Sequence, residues 1–337
     1  MNNTELQLFT LTAGRLRVDI TNLGARIVRM LVDDIDVVQG FDSPEDYLYE
    51  HHKSDFGAVI GRYANRLARG RFAIDWDIVQ LPRNDGPNCL HGGPRGWQYS
   101  LFEVAGSSDT RLELTLTSPD GDNGFPGTVQ VRVVYTLDED SGLRIDYHAA
   151  TDKPTVINMT NHSYFNLSGQ PDTSINDHVL WIDSYRYTPI DQYSIPLAKH
   201  RSVEGTPFDF RLPKAIGRDI EANDNQLHIG RGYDHNFVLN HRFGPEVPTM
   251  VATLYCPRTD IMLQLFTDAP GLQLYTGNYL DGVVGKQGIA YPRRSAVCLE
   301  AQQYPDSPNR HWPESTGRLL PGCPFHSTTI FNLIRND

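Results

Sequence analysis

A cluster of polar side chains follows one predicted strand near the middle of the chain. Residues 158–169 are rich in amide and hydroxyl groups and have His162 at their centre. Buried groups of this kind need hydrogen-bond partners or a polar ligand, and histidine is the side chain that titrates near neutral pH. We interpret this segment as one half of a site that handles a sugar. The alternative is a core histidine bonded to neighbouring backbone.

A carboxylate ends the apolar run that we interpret as the other half of the site. Val297, Cys298 and Leu299 lead directly into Glu300. A glutamate at the edge of an apolar segment can have a raised pKa, which suits a general base. An ion-paired or exposed Glu300 accounts for the local sequence equally well.

An arginine-rich run at residues 61–71 contains Asn65 and Arg66. Guanidinium groups donate hydrogen bonds from a fixed fork, so they can hold the oxygens of a ligand or pair with a carboxylate of the site. Taken alone, the run fits a solvated strand edge better, because charged runs usually lie at the surface.

Three further side chains could contact a ligand. His91 precedes two glycines, where backbone can approach a ligand closely, and Trp97 follows as a surface on which a sugar ring could stack. Asp234 lies in an aromatic frame, and Gln273 lies in an alternating segment. The structural alternatives are a glycine-rich turn at His91, an Asx-turn or strand cap at Asp234 and a Gln273 that faces water.

Strand signals recur along the whole chain and must position these groups. Apolar and polar residues alternate with a period of two at residues 16–21, 112–117, 129–137, 143–148 and 261–265. Turn residues separate the strands at Asp120 to Gly124, Asp140 to Gly142 and Asp281-Gly282. Helical periodicity is weak, and only Pro44 to His52 predicts a turn or two of helix. We therefore predict an all-β fold, a large antiparallel sandwich or barrel-like pair of sheets, as one domain over residues 1–337.

Charge and cysteine content limit the partners and the compartment. A net charge of −11 disfavours nucleic acid and an anionic membrane as partners. The N-terminus lacks the basic and apolar regions of a signal peptide, and no apolar run approaches the roughly 20 residues that span a bilayer. Cys89, Cys256, Cys298 and Cys323 contain no C-x-x-C pair and fit reduced thiols better than disulfides. We expect a cytoplasmic protein as the default.

Six segments occur in the same order as in the aldose 1-epimerases, or galactose mutarotases, a family that the chain resembles over nearly its whole length. They are Asn65-Arg66, Leu90 to Gly93, Asn161 to Leu167, Tyr233 to Phe237, Gln273 to Gly282, and Leu299-Glu300 followed by Pro305 to Asn309. One such motif is weak evidence. Six in sequence make coincidence improbable and favour the functional interpretation of each segment.

The resemblance implies a large antiparallel β-sandwich, which agrees with the strand pattern. It also implies that Glu300 is the catalytic base and His162 the catalytic acid. The sugar-binding residues that it implies are Asn65, Arg66, His91, Asp234 and Gln273. A free sugar such as galactose or glucose would be the partner, and no metal or organic cofactor is needed because no redox or carbanion step occurs. Whether the chain is a monomer or a homodimer stays open.

The chain departs from the family pattern after His91. The family commonly has Gly-Phe-Asp and a later Trp there, whereas this chain has Gly96-Trp97-Gln98 and then Phe102. We expect the departure to affect one pocket wall and the sugar preference but not the chemistry.

The expected chemistry is opening and reclosing of a sugar ring. A base takes the proton of the anomeric hydroxyl while an acid gives one to the ring oxygen, so the C1–O5 bond breaks and C1 can rotate before the ring recloses. We expect Glu300 to start ionised and His162 to start protonated. The rate should then depend on pH as a bell-shaped curve.

Four other functions fit parts of this residue set. In a glycoside hydrolase or lyase, Asp234 and Glu300 would be the acid and the nucleophile, about 5–9.5 Å apart. A sugar-binding or regulatory protein would keep the binding residues and need no acid–base pair. A metal site of His91, His162 and Asp234 has no ligand-spacing signature. A phosphosugar epimerase is the closest alternative to the favoured function.

Overall fold

Almost every regular element of the chain is a β-strand. The structure, a computed structural model, describes residues 5–51, 54–140, 142–240 and 247–335. In chain order the strands are β1 (Leu8–Ala13), β2 (Leu16–Thr21), β3 (Arg26–Val32), β4 (Ile35–Asp36), β5 (Val59–Ile60), β6 (Arg66–Leu67), β7 (Arg71–Ile74), β8 (Asp77–Gln80), β9 (Cys89–Leu90), β10 (Glu103–Ser107), β11 (Arg111–Ser118), β12 (Val129–Asp138), β13 (Gly142–Thr151) and β14 (Thr155–Val156). They continue as β15 (Thr160–Asn161), β16 (Val179–Ile182), β17 (Arg186–Thr188), β18 (Arg201–Ser202), β19 (Lys214–Ala215), β20 (Asp234–Val238), β21 (Thr249–Cys256), β22 (Ile261–Thr267), β23 (Gly271–Tyr275), β24 (Val283–Val284), β25 (Ala290–Tyr291), β26 (Cys298–Gln302), β27 (Arg318–Leu319) and β28 (Phe325–Arg335).

Helical segments are short. The described residues contain one α-helix, α1 (Asn225–Gly230), which begins after Asp224 because that carboxylate accepts hydrogen bonds from the first free backbone N–H groups. The 3-10 turns are Pro44–Tyr47, Ala68–Gly70, Trp97–Tyr99, Asp122–Gly124, Ile216–Arg218, Lys286–Gly288 and Ser307–Asn309. Of the helical turns predicted for Pro44 to His52, one 3-10 turn forms at Pro44–Tyr47, and His52 lies outside the described residues.

Nine strands form the largest sheet, in the order β10-β11-β12-β13-β28-β22-β21-β16-β19. Neighbouring strands in it pair antiparallel. The strands predicted at residues 112–117, 129–137, 143–148 and 261–265 are confirmed as β11, β12, β13 and β22. The predicted turn at Asp140 to Gly142 joins β12 to β13, although Ser141 lies outside the described residues.

Two smaller antiparallel sheets lie against the large one. Their strand orders are β1-β2-β3-β4 and β18-β17-β20-β23-β26. Strand β2 confirms the strand predicted at residues 16–21. Strand β1 contacts β11 and β12, and β3 contacts β28. One continuous core cluster includes Val18, Val133 and Leu272, which come from the three sheets. The predicted antiparallel sandwich is confirmed; that it forms one domain stays a prediction.

Strands β23 and β26 have one apolar and one polar face. Leu272, Leu274 and Leu299 belong to the core, and the residues between them point to the opposite face because side chains alternate along a strand. That opposite face carries Gln273 and Glu300. The core therefore holds in place the strands that present these two polar groups.

Replacing Leu274 by alanine is expected to lower the free energy of unfolding by about 2–5 kcal/mol, because it leaves a cavity in the core. Leu274 is 0% exposed, whereas Leu212, the matched control, is 79% exposed. Leu212→Ala should change the free energy by less than about 0.5 kcal/mol. Urea unfolding measures both changes. Equal effects of the two substitutions would contradict the placement of Leu274 in the core.

The cysteines and the helices bear on the compartment. All four cysteines are free thiols; Cys89, Cys256 and Cys298 are buried, and Cys323 is exposed. Within the described ranges, no helix has both the length and the apolar character that crossing a membrane requires.

Candidate active site

The polar face of the five-stranded sheet forms one wall of the site. Glu300 lies directly opposite Gln273 across the β23–β26 pairing, and Gln273 lies opposite Asn236 across the β20–β23 pairing. Asp234 precedes Asn236 by two residues and therefore shares its face. Gln273 Nε2 donates a hydrogen bond to Asp234 Oδ1 at 2.7 Å. The register thus brings together three of the predicted residues, Asp234, Gln273 and Glu300.

His162 lies across from this wall, directly after β15. Strand β15 pairs with β5, and the backbone of His162 makes two further hydrogen bonds of 2.9 Å, one to Ala58 O and one from the Gly57 N–H. The Tyr164 ring stacks on the imidazole with the ring centroids 5.0 Å apart. These contacts fix both the backbone and the ring of His162.

Most polar groups around His162 brace the site. Asn158 Nδ2 donates to Ala64 O and Gln303 O. Asn161 Nδ2 donates to Gly57 O, while its Oδ1 accepts from the backbone and hydroxyl of Ser163. Asn166 Nδ2 donates to three backbone carbonyls. The sequence suggested that this concentration of polar groups served a ligand, but these three asparagines are satisfied by the protein itself.

The central contact of the site joins His162 Nε2 and Glu300 Oε2, which are 3.5 Å apart. Both side chains are buried, with relative exposures of 6% and 2%. Within the described part of the chain, Glu300 Oε2 and His162 Nδ1 have no hydrogen-bond partner. Buried polar atoms rarely stay unpaired, so each of these two atoms is available to a further partner.

Burial determines the charge of Glu300. It raises the pKa of this carboxyl well above the usual value, and the negative charges of Asp234 and Asp55 raise it further, while Arg66 acts in the opposite direction. Burial therefore favours the protonated form of this carboxyl group.

Burial acts in the opposite sense on His162. It lowers the pKa of the imidazole to about 3, and the neighbouring His91 lowers it as well, whereas Asp55 raises it. The sequence predicted an ionised Glu300 and a protonated His162, but burial favours the uncharged form of each. The difference arises because the local sequence does not show how completely His162 is buried.

His91 and Asn65 form a second pair beside His162. The backbone N–H of Asn65 donates to His91 Nδ1 at 3.1 Å, so the proton of the neutral ring lies on Nε2. The rings of His91 and His162 are 5.3 Å apart and nearly perpendicular. Because burial lowers the pKa of His91 to about 3, it is a neutral donor, suited to a sugar oxygen.

Arg66 lies between two carboxylates. Its Nε donates to Asp85 Oδ2 at 2.7 Å. Burial opposes the charge of Arg66, but Asp234 and Asp85 outweigh it, and the net result is a raised pKa. Burial also raises the pKa of Asp234, against the effects of Arg66 and the Gln273 hydrogen bond. The guanidinium is therefore a permanent donor fork held at one edge of the site.

The departure from the family pattern lies behind the site. Trp97 is 1% exposed, and its ring packs against Gly61, where an added Cβ would lie 1.9 Å from it. Gln98 donates to His91 O, and Phe102 lies in the main core. Trp97 therefore supports the backbone from behind and is no stacking surface, contrary to the expectation for it.

The glycines after His91 also serve the protein backbone. At Gly92, with a φ of 78°, an added Cβ would lie 2.0 Å from Gly61 O. The expected close approach is therefore made to another segment of the chain, which only glycine permits.

Residues that the sequence analysis missed include Asp55, Asp85 and Tyr164. Asp85 is the partner of Arg66, and Tyr164 covers the His162 ring. Asp55 has no local motif around it, so no sequence signal could have found it. Among the described residues, no group of three or more histidine, cysteine, aspartate or glutamate side chains could hold a metal ion.

A cavity of about 660 Å³ lies apart from the predicted site residues. It is lined by residues that follow Arg66 in the chain and by three other segments, at residues 87–88, 191–195 and 306–310, and none of the seven predicted site residues lines it.

Comparison with known proteins gives one consistent family. A sequence model described as aldose 1-epimerase matches residues 7–332. The galactose mutarotase of Bos taurus is 40% identical over 333 residues, which cover 97% of this chain and 93% of that protein. The aldose 1-epimerase of Escherichia coli is 37% identical over 315 residues, which cover 93% and 89%.

Solved structures show the same likeness. An aldose epimerase homologue from C. elegans superposes with a TM-score of 0.89 at 26% identity, covering 99% of this chain and 100% of that one. A galactose 1-epimerase from Lactobacillus acidophilus superposes with a TM-score of 0.86 at 30% identity, covering 100% and 97%.

Proposed function

The chain belongs to the aldose 1-epimerase family, and from this premise we propose that Glu300 and His162 interconvert the α and β anomers of free aldohexoses such as galactose and glucose. Membership makes the protein an isomerase that acts on carbohydrates. One observation carries the residue assignment: the 3.5 Å contact between a buried carboxyl and a buried imidazole. Ring opening needs one group to take a proton and another to give one.

The proposed reaction conserves the protons of the pair. Glu300 takes the proton of the anomeric hydroxyl, His162 gives one to the ring oxygen, and the electron pair of the C1–O5 bond goes to that oxygen. The carboxylate and imidazolium become a carboxylic acid and a neutral imidazole while the sugar becomes an open aldehyde. Rotation about C1–C2 and reversal of the proton transfers close the ring on the other face.

The buried surroundings favour the uncharged pair, which is the state that accompanies the open-chain sugar. The charged pair that starts the reaction has the same total number of protons. It forms when one proton moves from Glu300 to His162 across the 3.5 Å contact. Burial thus favours the uncharged pair both before this proton moves and after the ring opens, and it raises the energy of the charged pair in between.

Five side chains would hold the sugar hydroxyls during the rotation of C1. They are Asn65, Arg66, His91, Asp234 and Gln273. Gln273 Oε1 is buried with no hydrogen-bond partner in the described ranges, and His91 Nε2 carries a proton. Together with the Arg66 fork and the Asp234 carboxylate, the set offers both donors and acceptors, which hydroxyl groups require.

The rate should be nearly constant across neutral pH and fall only at the extremes. The working pair holds one proton. The pair gains a second proton when the pH falls below the pKa of His162, which burial lowers to about 3. It loses its last proton when the pH rises above the pKa of Glu300, which burial raises. These limbs belong to the pair as a whole. The dependence of kcat/KM on pH tests this, and a narrow optimum between the ordinary values for glutamate and histidine would contradict it.

Polarimetry tests the function itself. The protein should accelerate the change in optical rotation of freshly dissolved α-D-galactose, and α-D-glucose extends the test to a second sugar. Methyl α-D-galactoside is the matched control, because its blocked C1 oxygen has no proton to give. A rate equal to that of buffer for both free sugars would refute the proposal. Release of reducing sugar from the methyl galactoside would favour a glycoside hydrolase.

We further propose a cytoplasmic location and a single domain over residues 1–337. Four free thiols fit a reducing compartment, and a core shared by three sheets supports one folding unit. The net charge of −11 gives nucleic acid and anionic membranes no attraction to the surface. A monomer and a homodimer both remain compatible with the proposed chemistry.

A further inference from the structure

The loop at residues 54–58 lies against the backbone of His162. Hydrogen bonds of 2.9 Å join Gly57 N–H to His162 O and His162 N–H to Ala58 O. The Phe56 ring contacts Tyr164, which in turn stacks on His162. Asp55 therefore lies on a loop that is hydrogen-bonded to the backbone of His162.

Arg26 fixes this loop from the other side. Its guanidinium is fully buried and donates to the backbone carbonyls of Ser54, Phe56 and Gln98. Within the described residues, the guanidinium group of Arg26 donates these hydrogen bonds to carbonyl oxygens and none to a carboxylate. The loop is thus held rigidly while the Asp55 side chain stays outside the hydrogen bonds of Arg26.

The Asp55 carboxylate has one unpaired buried oxygen. Its Oδ1 has no hydrogen-bond partner within the described ranges, and the same holds for Nδ1 of His162. A buried carboxylate oxygen without a partner is costly, and its persistence suggests a function for the charge. When the imidazole is protonated, Nδ1 of His162 is an unpaired donor and Oδ1 of Asp55 is an unpaired acceptor on the adjoining segment. The two groups are then complementary.

The proposed reaction needs such a charge, because His162 must become an imidazolium in surroundings that disfavour one. Burial and His91 both oppose its protonation, whereas Asp55 favours it, with a larger effect than the opposing effect of Arg26. The charged and titratable groups around His162 are Glu300 on β26, Tyr275 on β23, Arg26 on β3, His91 after β9, Tyr164 on its own segment and Asp55 on the 54–58 loop.

We infer that Asp55 is a positioning residue for His162: its carboxylate stabilises the protonated imidazole from which the ring oxygen receives its proton. The inference rests on the proposed role of His162 as the acid. Asp55 acts through the histidine and touches neither the sugar nor Glu300.

The test compares Asp55→Asn, which removes the charge at nearly constant shape, with Asp55→Glu, which keeps it. Loss of the charge should lower the pKa of His162 by roughly one unit. The imidazolium then becomes about tenfold rarer, so kcat for α-D-galactose should fall about tenfold. Both limbs of the pH profile should move to lower pH, because Asp55 raises the pKa of Glu300 as well as that of His162. Asp55→Glu should restore kcat and the positions of the limbs in part. Asp34→Asn, the control at an exposed turn, should change neither kcat nor the pH profile.

A double-mutant cycle separates this role from a structural one. In a His162→Asn background, Asp55→Asn should lower kcat much less than it does in the wild type, because its main target is gone. An equal loss in both backgrounds, an unmoved pH profile, or a raised KM with unchanged kcat would overturn the inference.

A second readout is independent of turnover. In protein labelled with ¹³C-histidine, the His162 resonance, identified by its loss in His162→Asn, should titrate at lower pH in Asp55→Asn than in the wild type. Identical titrations would overturn the role of Asp55 even in an active enzyme. Shifted titrations in a protein that does not accelerate mutarotation would uphold the role of Asp55 and refute the proposed function instead.

Discussion

Replacing Glu300 by glutamine is expected to lower kcat for the mutarotation of α-D-galactose by about 10²–10⁴-fold, the usual contribution of one positioned base. The amide keeps the shape of the carboxyl group but cannot accept the anomeric proton. KM should change little, because the five proposed sugar-binding side chains stay in place. Polarimetric initial rates at several sugar concentrations separate the two constants.

The control for this substitution is Glu103→Gln, which changes an exposed glutamate on β10 by the same chemistry. It should leave kcat unchanged. Glu300→Gln should also unfold about as easily as the wild type, because a neutral amide replaces a carboxyl group whose neutral form burial already favours. A folded Glu300→Gln protein that keeps its rate within a few-fold would remove Glu300 from the reaction.

His162→Asn is expected to lower kcat by a similar factor, about 10²–10⁴-fold. Asparagine retains a donor near the ring oxygen but cannot exchange a proton with Glu300, so the leaving ring oxygen would have to accept its proton from water. The low-pH limb of the rate profile should disappear with it, since the pair cannot take up its second proton without the imidazole. Rates measured from acidic to alkaline pH test both statements.

His326→Asn is the matched control for the histidine. His326 lies on β28, and its side chain is 46% exposed. Its replacement should leave kcat and the pH profile as they are. If His162→Asn kept both limbs of the profile at their wild-type positions, another group would have to be the acid.

Much of the fold could be predicted from local patterns. Alternation of apolar and polar residues, as in Leu143 to Tyr147, indicates a strand with one buried face, and that pattern does not depend on the rest of the chain. The pairing of strands cannot be read in this way. The register that sets Gln273 opposite Glu300 joins segments whose contact depends on the whole core.

The site residues could be found in the sequence, but their charges could not. Motifs in a fixed order indicated His162 and Glu300 because their surroundings resemble those of known enzymes. The pKa of His162 depends on burial by segments far away in the chain, such as that of Tyr275, whose ring centroid lies 6.4 Å from that of the imidazole. The sequence therefore predicts the pair, whereas the effect of burial on their charges becomes visible only in the folded chain.

Structural roles were also hidden from the sequence. Asn158 and Trp97 both resembled ligand-binding residues, since amides and aromatic rings are common in sugar sites. Each instead satisfies or supports backbone that only the folded chain brings near. Asp55 is the opposite case, because it lies in no sequence motif. Its proposed function is indicated only by the folded chain, in which one buried oxygen of its carboxylate has no partner among the described residues.

The most direct test of the acid–base pair is kcat for α-D-galactose in the Glu300→Gln/His162→Asn double variant, compared with the two single variants. Two groups that act in one concerted proton exchange lose their function together, so the double variant should be no slower than the slower single variant within a few-fold. If the two losses multiply, the residues act independently and the shared-proton mechanism is wrong.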